Sequence, residues 1–295
     1  MHFHGQTTSS SSTHKDECVH RGGFQSIHHH IKERSEEMFC LRGFTVFISC
    51  VVFLIVQPSH GSEIIGGKEV QPHSMPFMAL MANPICGGTL IHPKWVLTAA
   101  HCVGIKKVLL GVHSISKKEK DSRQVISVKS HYPHPCFDEK EKVNDLMLLK
   151  LAKPAKQTKT VKCLPLGNTV KEPAAGSSCL VAGWGKTNNV AKKASDVLMS
   201  ANVTVIDRVK CNSPEYYNFD PVITKGMICA GSDGKKQVDA CKGDSGGPLL
   251  CNGALVGVTS FGKGCGQIKK PGVYSFLSES QLNWIKKTMK KSEME

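Results

Sequence analysis

The chain lacks the glycine patterns that cradle a dinucleotide or a nucleoside phosphate, which sets aside Rossmann and phosphate-loop chemistry. No internal period of roughly 20–50 residues recurs, so solenoid and propeller arrays are set aside too. From Ile64 onward there is no metal-ligand cluster and no paired acidic loop for calcium, so neither a metal nor a cofactor is expected there. Acidic side chains are scarce: 24 Asp and Glu face 38 Lys and Arg, and from Ile64 onward the balance is 33 basic to 18 acidic, or +15. Such a surface attracts polyanions such as glycosaminoglycans or nucleic acid, or is simply a solvated lysine face; charge alone does not choose.

What is present begins with cysteine. Thirteen cysteines in 295 residues are many for a cytosolic chain and point to an oxidising compartment. The apolar run Phe44 to Val56, with Arg42 ahead of it, is shorter than the ~20 residues that span a bilayer comfortably. Ser59-His60-Gly61 follows as a small-x-small cleavage pattern, so residues 38–61 read as a signal peptide; a buried strand or a membrane anchor are the alternatives. Residues 1–37 carry a Thr/Ser run and seven of the 14 histidines, with too little apolar content for a core. Translation is therefore expected to start at Met38, leaving 1–37 as an unstructured or mis-assigned extension. A histidine-rich metal site at His28-His29-His30 is the weaker alternative, because no second ligand cluster accompanies it.

From Ile64 short apolar runs alternate with Gly, Pro, Asn and Ser. Trp95 to Leu97, Val108 to Leu110, Leu146 to Leu149, Leu180 to Ala182, Val203 to Ile206 and Leu255 to Val258 predict an all-β sandwich or barrel. One helix is expected at the C-terminus. Ser278 and Gln281 have capping-box spacing, Leu282, Ile285 and Met289 share one face, and Lys286, Lys287, Lys290 and Lys291 crowd the end that favours cations.

Three blocks carry chemistry: Leu97 to Cys102 (LTAAHC), Asn144 to Leu148 (NDLML), and Asp239 to Pro248 (DACKGDSGGP). Together, in the order His, Asp, Ser, they resemble the chymotrypsin-family serine proteases, from Ile64 to about Met289. The resemblance implies two packed six-stranded antiparallel β-barrels with a C-terminal helix, an active site in the cleft between them, and a protease domain over residues 64–295. It implies His101, Asp145 and Ser245 as the catalytic triad, whose division of labour is the worked template for this family. A serine hydroxyl needs a neighbouring base, and an imidazole titrating near neutrality supplies one. Gly243 and Ser245 are expected to aim backbone N–H groups at the developing oxyanion.

By the same resemblance Asp239 lies at the base of the primary pocket, Gly262 and Gly272 line its wall, and Ser260 to Gly262 pair with the substrate backbone. Lys or Arg at the cleavage site is the expectation. Ile64-Ile65-Gly66-Gly67 resembles the family's mature start, whose freed amino group pairs with the carboxylate before the nucleophile, here Asp244. Glu63 is not a trypsin cleavage site, and signal cleavage after Gly61 would leave the dipeptide Ser62-Glu63, a pattern similar to granule-stored leukocyte proteases. Pairs Cys86–Cys102, Cys179–Cys251, Cys211–Cys229 and Cys241–Cys265 are implied in the same way.

Cys136 and Cys163 remain, to pair together, stay free or bond another chain. The surroundings of Cys136, with Tyr216 to Ile223 and Gly257 to Gly262, resemble the granzymes of A type, and Ile64 to Ser74 suits the A and K types equally; the A-type resemblance implies a disulfide-linked homodimer through Cys136. Cys163 departs from that pattern. Protein substrates and serpin-type inhibitors are the other implied partners, and Asn202-Val203-Thr204 is a glycosylation sequon. Two rivals stand beside the secreted, granule-stored protease: an inactive cationic binding relative, and a digestive or plasma trypsin.

Overall fold

The computed structural model describes residues 64–294 except Asn189, Lys235 and Lys236. The expected signal peptide, the expected start at Met38, the histidine run and the dipeptide Ser62-Glu63 lie outside the described residues.

Most strands are short and strongly buried. Along β2 (Met78–Ala82), β3 (Ile85–His92), β4 (Trp95–Thr98), β5 (Lys107–Leu110), β6 (Gln124–Pro133) and β7 (Met147–Leu151) the chain closes a barrel in the order β2-β3-β4-β7-β6-β5. Closure leaves no free edge, which is how antiparallel sheets of this size avoid edge pairing. β6 alternates exposed and inward positions, the period of a half-buried strand, whereas all four residues of β4 are buried.

A second barrel uses β8 (Ser178–Gly183), β9 (Met199–Ile206), β10 (Met227–Gly231), β11 (Pro248–Cys251), β12 (Ala254–Phe261) and β13 (Gly272–Phe276), and closes through the β8–β9 pairing. The two-residue β1 (Lys68–Glu69) adds to the outside of β9. The short α1 (Arg208–Asn212) is N-capped by Asp207, whose side chain accepts from the Lys210 amide at 2.9 Å. The six apolar runs read from the sequence all fall on strands, with Leu146 one residue ahead of β7.

α2 (Glu279–Met294) follows the second barrel in sequence but packs on the first. Leu282 and Ile285 enter the cluster formed with Trp95, Leu148 and Leu149, and Met289 packs at its edge. Tyr132 of β6 meets the Ser292 hydroxyl at 2.9 Å, and the Lys150 ammonium donates to the Ser292 carbonyl and hydroxyl. The capping box expected at Ser278 and Gln281 does not form. The Ser278 hydroxyl meets Ser280 at 2.8 Å, and the Gln281 amide turns inward to donate to Asn144 at 2.7 Å. A buried amide needs a partner, and a tertiary one outcompetes the helix end.

Four disulfides tie the loops down. Cys86–Cys102 joins β3 to the residue after His101, and Cys179–Cys251 joins β8 to β11. Cys211–Cys229 fastens α1 to β10, and Cys241–Cys265 brackets the loop before Ser245. Each restricts the unfolded chain more than the folded one. Cys136 is free and exposed, and Cys163 is free and half-buried, so the two do not bond one another.

Candidate active site

Each barrel contributes one wall. His101 follows β4 of the first barrel, and Asp145 stands two residues ahead of β7, which pairs with β4. Asp145 is fully buried. Its Oδ1 accepts the His101 amide at 2.9 Å, and its Oδ2 accepts His101 Nδ1–H at 2.6 Å. With hydrogen fixed on Nδ1, the neutral ring keeps its lone pair on Nε2, the atom a base needs. Oδ2 also accepts the Ser260 hydroxyl of β12 at 2.5 Å, a bond between barrels. Burial pushes the Asp145 carboxyl up, but the hydrogen bonds and charge of His101 with the Ser260 hydroxyl outweigh it, and the group sits below its usual value.

Ser245 sits in a turn that glycine makes possible. Gly246 has φ +80, and a Cβ there would lie 2.1 Å from Thr98 Oγ1 and 2.4 Å from the Gly87 carbonyl. That clearance lets the turn press onto the first barrel, where the Gly87 amide donates to the Ser245 carbonyl at 2.7 Å. Gly243 has φ +104, open to glycine alone. Among the described residues neither the Gly243 nor the Ser245 amide donates a hydrogen bond, so both remain available to a ligand oxygen. Ser245 and His101 line the same cleft, of about 480 Å³. No hydrogen bond joins their side chains; in unliganded enzymes such contacts are often long and tighten with substrate.

Asp244 points the other way, into the second barrel. Its oxygens accept the Gly185 amide at 2.7 Å and the Cys241 amide at 2.8 Å. Burial pushes its carboxyl up to about 6, against the pull of those two amides. Ile64 is fully buried in the second barrel's apolar cluster.

Asp239 lies behind Gly272, one of the residues that line the cleft. Asp239 is 2% exposed; its Oδ2 accepts the Gly266 amide at 2.9 Å, and among the described residues Oδ1 makes no well-formed hydrogen bond, although the Gly272 and Ala240 amides lie close enough to favour the carboxylate. A buried polar atom without a partner is rare in native proteins and calls for a ligand or a reason. Burial raises the carboxyl to about 7, partly offset by the amides of Gly266, Gly272 and Ala240 and reinforced by the Asp244 charge. Gly262 and Gly272 line the cleft above it, and a Cβ on Gly272 would come within 3.0 Å of Oδ1. The neighbouring Tyr274 hydroxyl is also buried without a partner.

The structure thus brings His101, Ser245, Ser260, Gly262 and Gly272 to one cleft, with Asp145 behind His101, Asp239 behind Gly272, and Gly243 in the turn that leads to Ser245. Asn202 is exposed on β9, and Cys136 is exposed on the loop after β6. Sequence reasoning missed two features. Ser260 was expected only as a substrate-pairing residue, yet its hydroxyl holds Asp145. The clamp of Gln281 and Asn144 beside Asp145 was unforeseen, and the one local signal, Gln281 at capping spacing, pointed elsewhere.

A closed pair of antiparallel barrels with a buried Asp–His couple facing a serine in their shared cleft defines a class, and the comparisons agree. The chain matches the Trypsin family model over residues 64–285 and belongs to that family of serine endopeptidases. It is 51% identical to granzyme A of Bos taurus over 237 residues, covering 79% of this chain and 91% of the relative. It is 40% identical to kallikrein-4 of Homo sapiens, covering 78% and 89%. Among solved structures, mouse neuropsin, a serine protease expressed in the limbic system, aligns with TM-score 0.69 and 38% identity over 77% of this chain and all of its own.

Proposed function

We propose that this protease cleaves peptide bonds after Lys or Arg, with Ser245 as nucleophile, His101 as base and Asp145 as its orienting carboxylate. The observation that carries the specificity is the orphaned Oδ1 of Asp239 under a glycine-walled slot. A cationic side chain entering the slot supplies the missing donor. The cation also favours the charged form that burial disfavours. A substrate strand laid along Ser260 to Gly262 brings the scissile carbonyl to Ser245. Ser245 Oγ attacks as its proton passes to His101 Nε2, and the oxyanion takes the free amides of Gly243 and Ser245. The imidazolium, held by Asp145, returns the proton to the leaving amine. Water, deprotonated by the same base, then hydrolyses the acyl-enzyme.

Activation follows from Ile64 and Asp244. Cleavage before Ile64 frees an amino group, and pairing with it stabilises the ionised Asp244 carboxylate and orders the loop that carries Gly243. Residues 38–61 as signal peptide, Ser62-Glu63 as a removable dipeptide, and the likeness to granzyme A support secretion with storage in cytolytic granules and a role in immune proteolysis. Exposed Cys136 supports a disulfide-linked homodimer, and exposed Asn202 supports a glycan. Serpin-type inhibitors and polyanions complete the proposed partners.

The test is hydrolysis of Lys, Arg and Phe thiobenzyl esters by the protein cleaved to begin at Ile64. Turnover of the basic esters, abolished in Ser245→Ala, is expected; preference for the Phe ester sinks the assignment of Asp239.

A further inference from the structure

The cleft has a cationic wall that the chemistry above does not use. Lys142, Lys186 and Lys242 all line it, and among the described residues its surface holds no carboxylate, Asp239 lying behind Gly272. Lys142 is the one of the three on the first barrel, with its ammonium 5.8 Å from the Phe137 ring. The other two are held together: the Lys186 amide donates to the Lys242 carbonyl at 2.7 Å. A Cβ on Gly243 would lie 2.9 Å from Gly185 Cα, so the 185–186 segment packs directly on the oxyanion loop. Neither lysine has an acidic partner among the described residues, whereas Lys263 is paired with Asp220 at 2.7 Å. The side chains of Lys186 and Lys242 therefore start from neighbouring backbone positions on one wall, and an anion passing there is attracted to both.

Their position relative to the substrate follows from the hydrogen bonds around Ser245. On one side Gly246 donates to the Thr259 carbonyl and Thr259 to the Gly247 carbonyl, so β12 flanks the nucleophile there. On the other side lie Gly243, Gly185 and the two lysines. A substrate running along β12 up to its scissile bond must leave past Lys186 and Lys242.

We propose that Lys186 and Lys242 select an acidic residue at the first or second position after the scissile bond. This deepens the Lys/Arg reading above and rests on it. The cleft then reads a charge sequence, a cation received by Asp239 and an anion received by the lysine pair, and it repels segments that continue with Lys or Arg.

The test uses the protein cleaved to begin at Ile64, the Lys thiobenzyl ester, and three quenched fluorescent peptides identical except after the scissile Lys, where they carry Glu-Glu, Gln-Gln or Lys-Lys. The expected result is a kcat/KM for Glu-Glu about three- to tenfold above Gln-Gln at low salt, the scale of one or two exposed ion pairs. Lys-Lys should fall below Gln-Gln, and the spread should shrink as salt is raised. In Lys186→Gln/Lys242→Gln the Glu-Glu to Gln-Gln ratio should collapse towards one. In Lys225→Gln, an exposed lysine before β10, it should stay as in the wild type. Hydrolysis of the ester with equal rates on the three peptides overturns this inference alone, as does an acidic preference that survives the double variant. Failure on both the ester and the peptides overturns the Lys/Arg reading and this inference with it.

Discussion

The Gln281 side-chain amide, on the C-terminal helix, donates to Asn144 Oδ1 at 2.7 Å, one residue before the buried Asp145. Asn144 has φ +54 and also donates to the Cys136 carbonyl at 2.9 Å, so one side chain locks the approach to the proposed triad carboxylate. Asn144→Gly keeps the left-handed backbone accessible and removes both bonds. Thermal melts should show a loss of about 1–2 kcal/mol, from two hydrogen bonds at roughly 1 kcal/mol each. The kcat on a Lys ester should fall several-fold, and an unchanged kcat would show that the clamp does not orient Asp145.

Under the proposed specificity, Asp239 carries a conflict between stability and function. Its carboxyl is raised to about 7 from an ordinary 3.8. Between those values the folded protein holds a proton that the unfolded chain has released. The contribution of this group to stability is therefore greatest below about pH 4 and declines as pH rises to about 7. Asp239→Asn should raise the melting temperature at pH 7.5 by roughly 2–4 °C. It should also cut kcat/KM on Lys esters by on the order of 10³-fold or more. For the wild type, inhibition by a benzamidine-type cation should strengthen as pH rises through about 7. Affinity that is flat from pH 5 to 8 would contradict the buried-acid picture.

Ile64 is fully buried, and the proposed pair with Asp244 needs the freed amino group on this residue and no other. A form beginning with one extra Ala before Ile64 should be at least ~10²-fold less active in single-turnover assays, since the pair with Asp244 cannot form. Asp244→Asn should reproduce that loss. Full activity in either variant would remove Asp244 from the activation scheme.

Exposed Cys136 and half-buried Cys163 differ in reactivity. Burial pushes the Cys163 thiol up, only partly offset by the Gln157 amide that donates to its sulfur at 3.3 Å. The thiolate is the reactive form, so Cys163 should be the slower of the two. Non-reducing electrophoresis should show a dimer for the wild type and Cys163→Ser, and a monomer for Cys136→Ser. A monomeric wild type ends the dimer proposal.

Arg123 organises the loop after β5. Its Nη2 donates to the carbonyls of Ser114 at 2.6 Å, Lys117 at 2.7 Å and Ile115 at 3.2 Å, with Glu119 3.8 Å away. Glu119 in turn accepts the His113 and Ser114 amides, and Asp196 of the second half accepts the Ser114 hydroxyl at 2.6 Å. Arg123→Met should cost about 2–3 kcal/mol in chemical denaturation, because charge-assisted bonds are lost and carbonyls are stranded. A loss below ~0.5 kcal/mol would show that the loop holds without it.

These cases mark what the sequence made legible. His101, Asp145 and Ser245 stand in contiguous blocks whose neighbours, Cys102, Leu146 and Gly246, each have a local structural duty, so the chemistry left a linear imprint. The strand runs were readable because inward positions recur at short spacing. Arg123, by contrast, looks like any surface cation until the loop closes around it. Ser260 reaches Asp145 across 115 residues and Gln281 reaches Asn144 across 137, and such separations carry no periodicity to read. Asp239 stood out in the sequence by resemblance alone, and its unpartnered oxygen could be seen only in three dimensions.

β1 opens the described chain yet pairs with β9 of the later barrel, while α2 closes it yet packs on the earlier one. Each half therefore borrows its final piece from the opposite end of the polypeptide. A ribosome that has made all the strands of the first barrel has not yet made the helix that covers it. The packing of the first barrel is therefore complete only when nearly the whole polypeptide has been made.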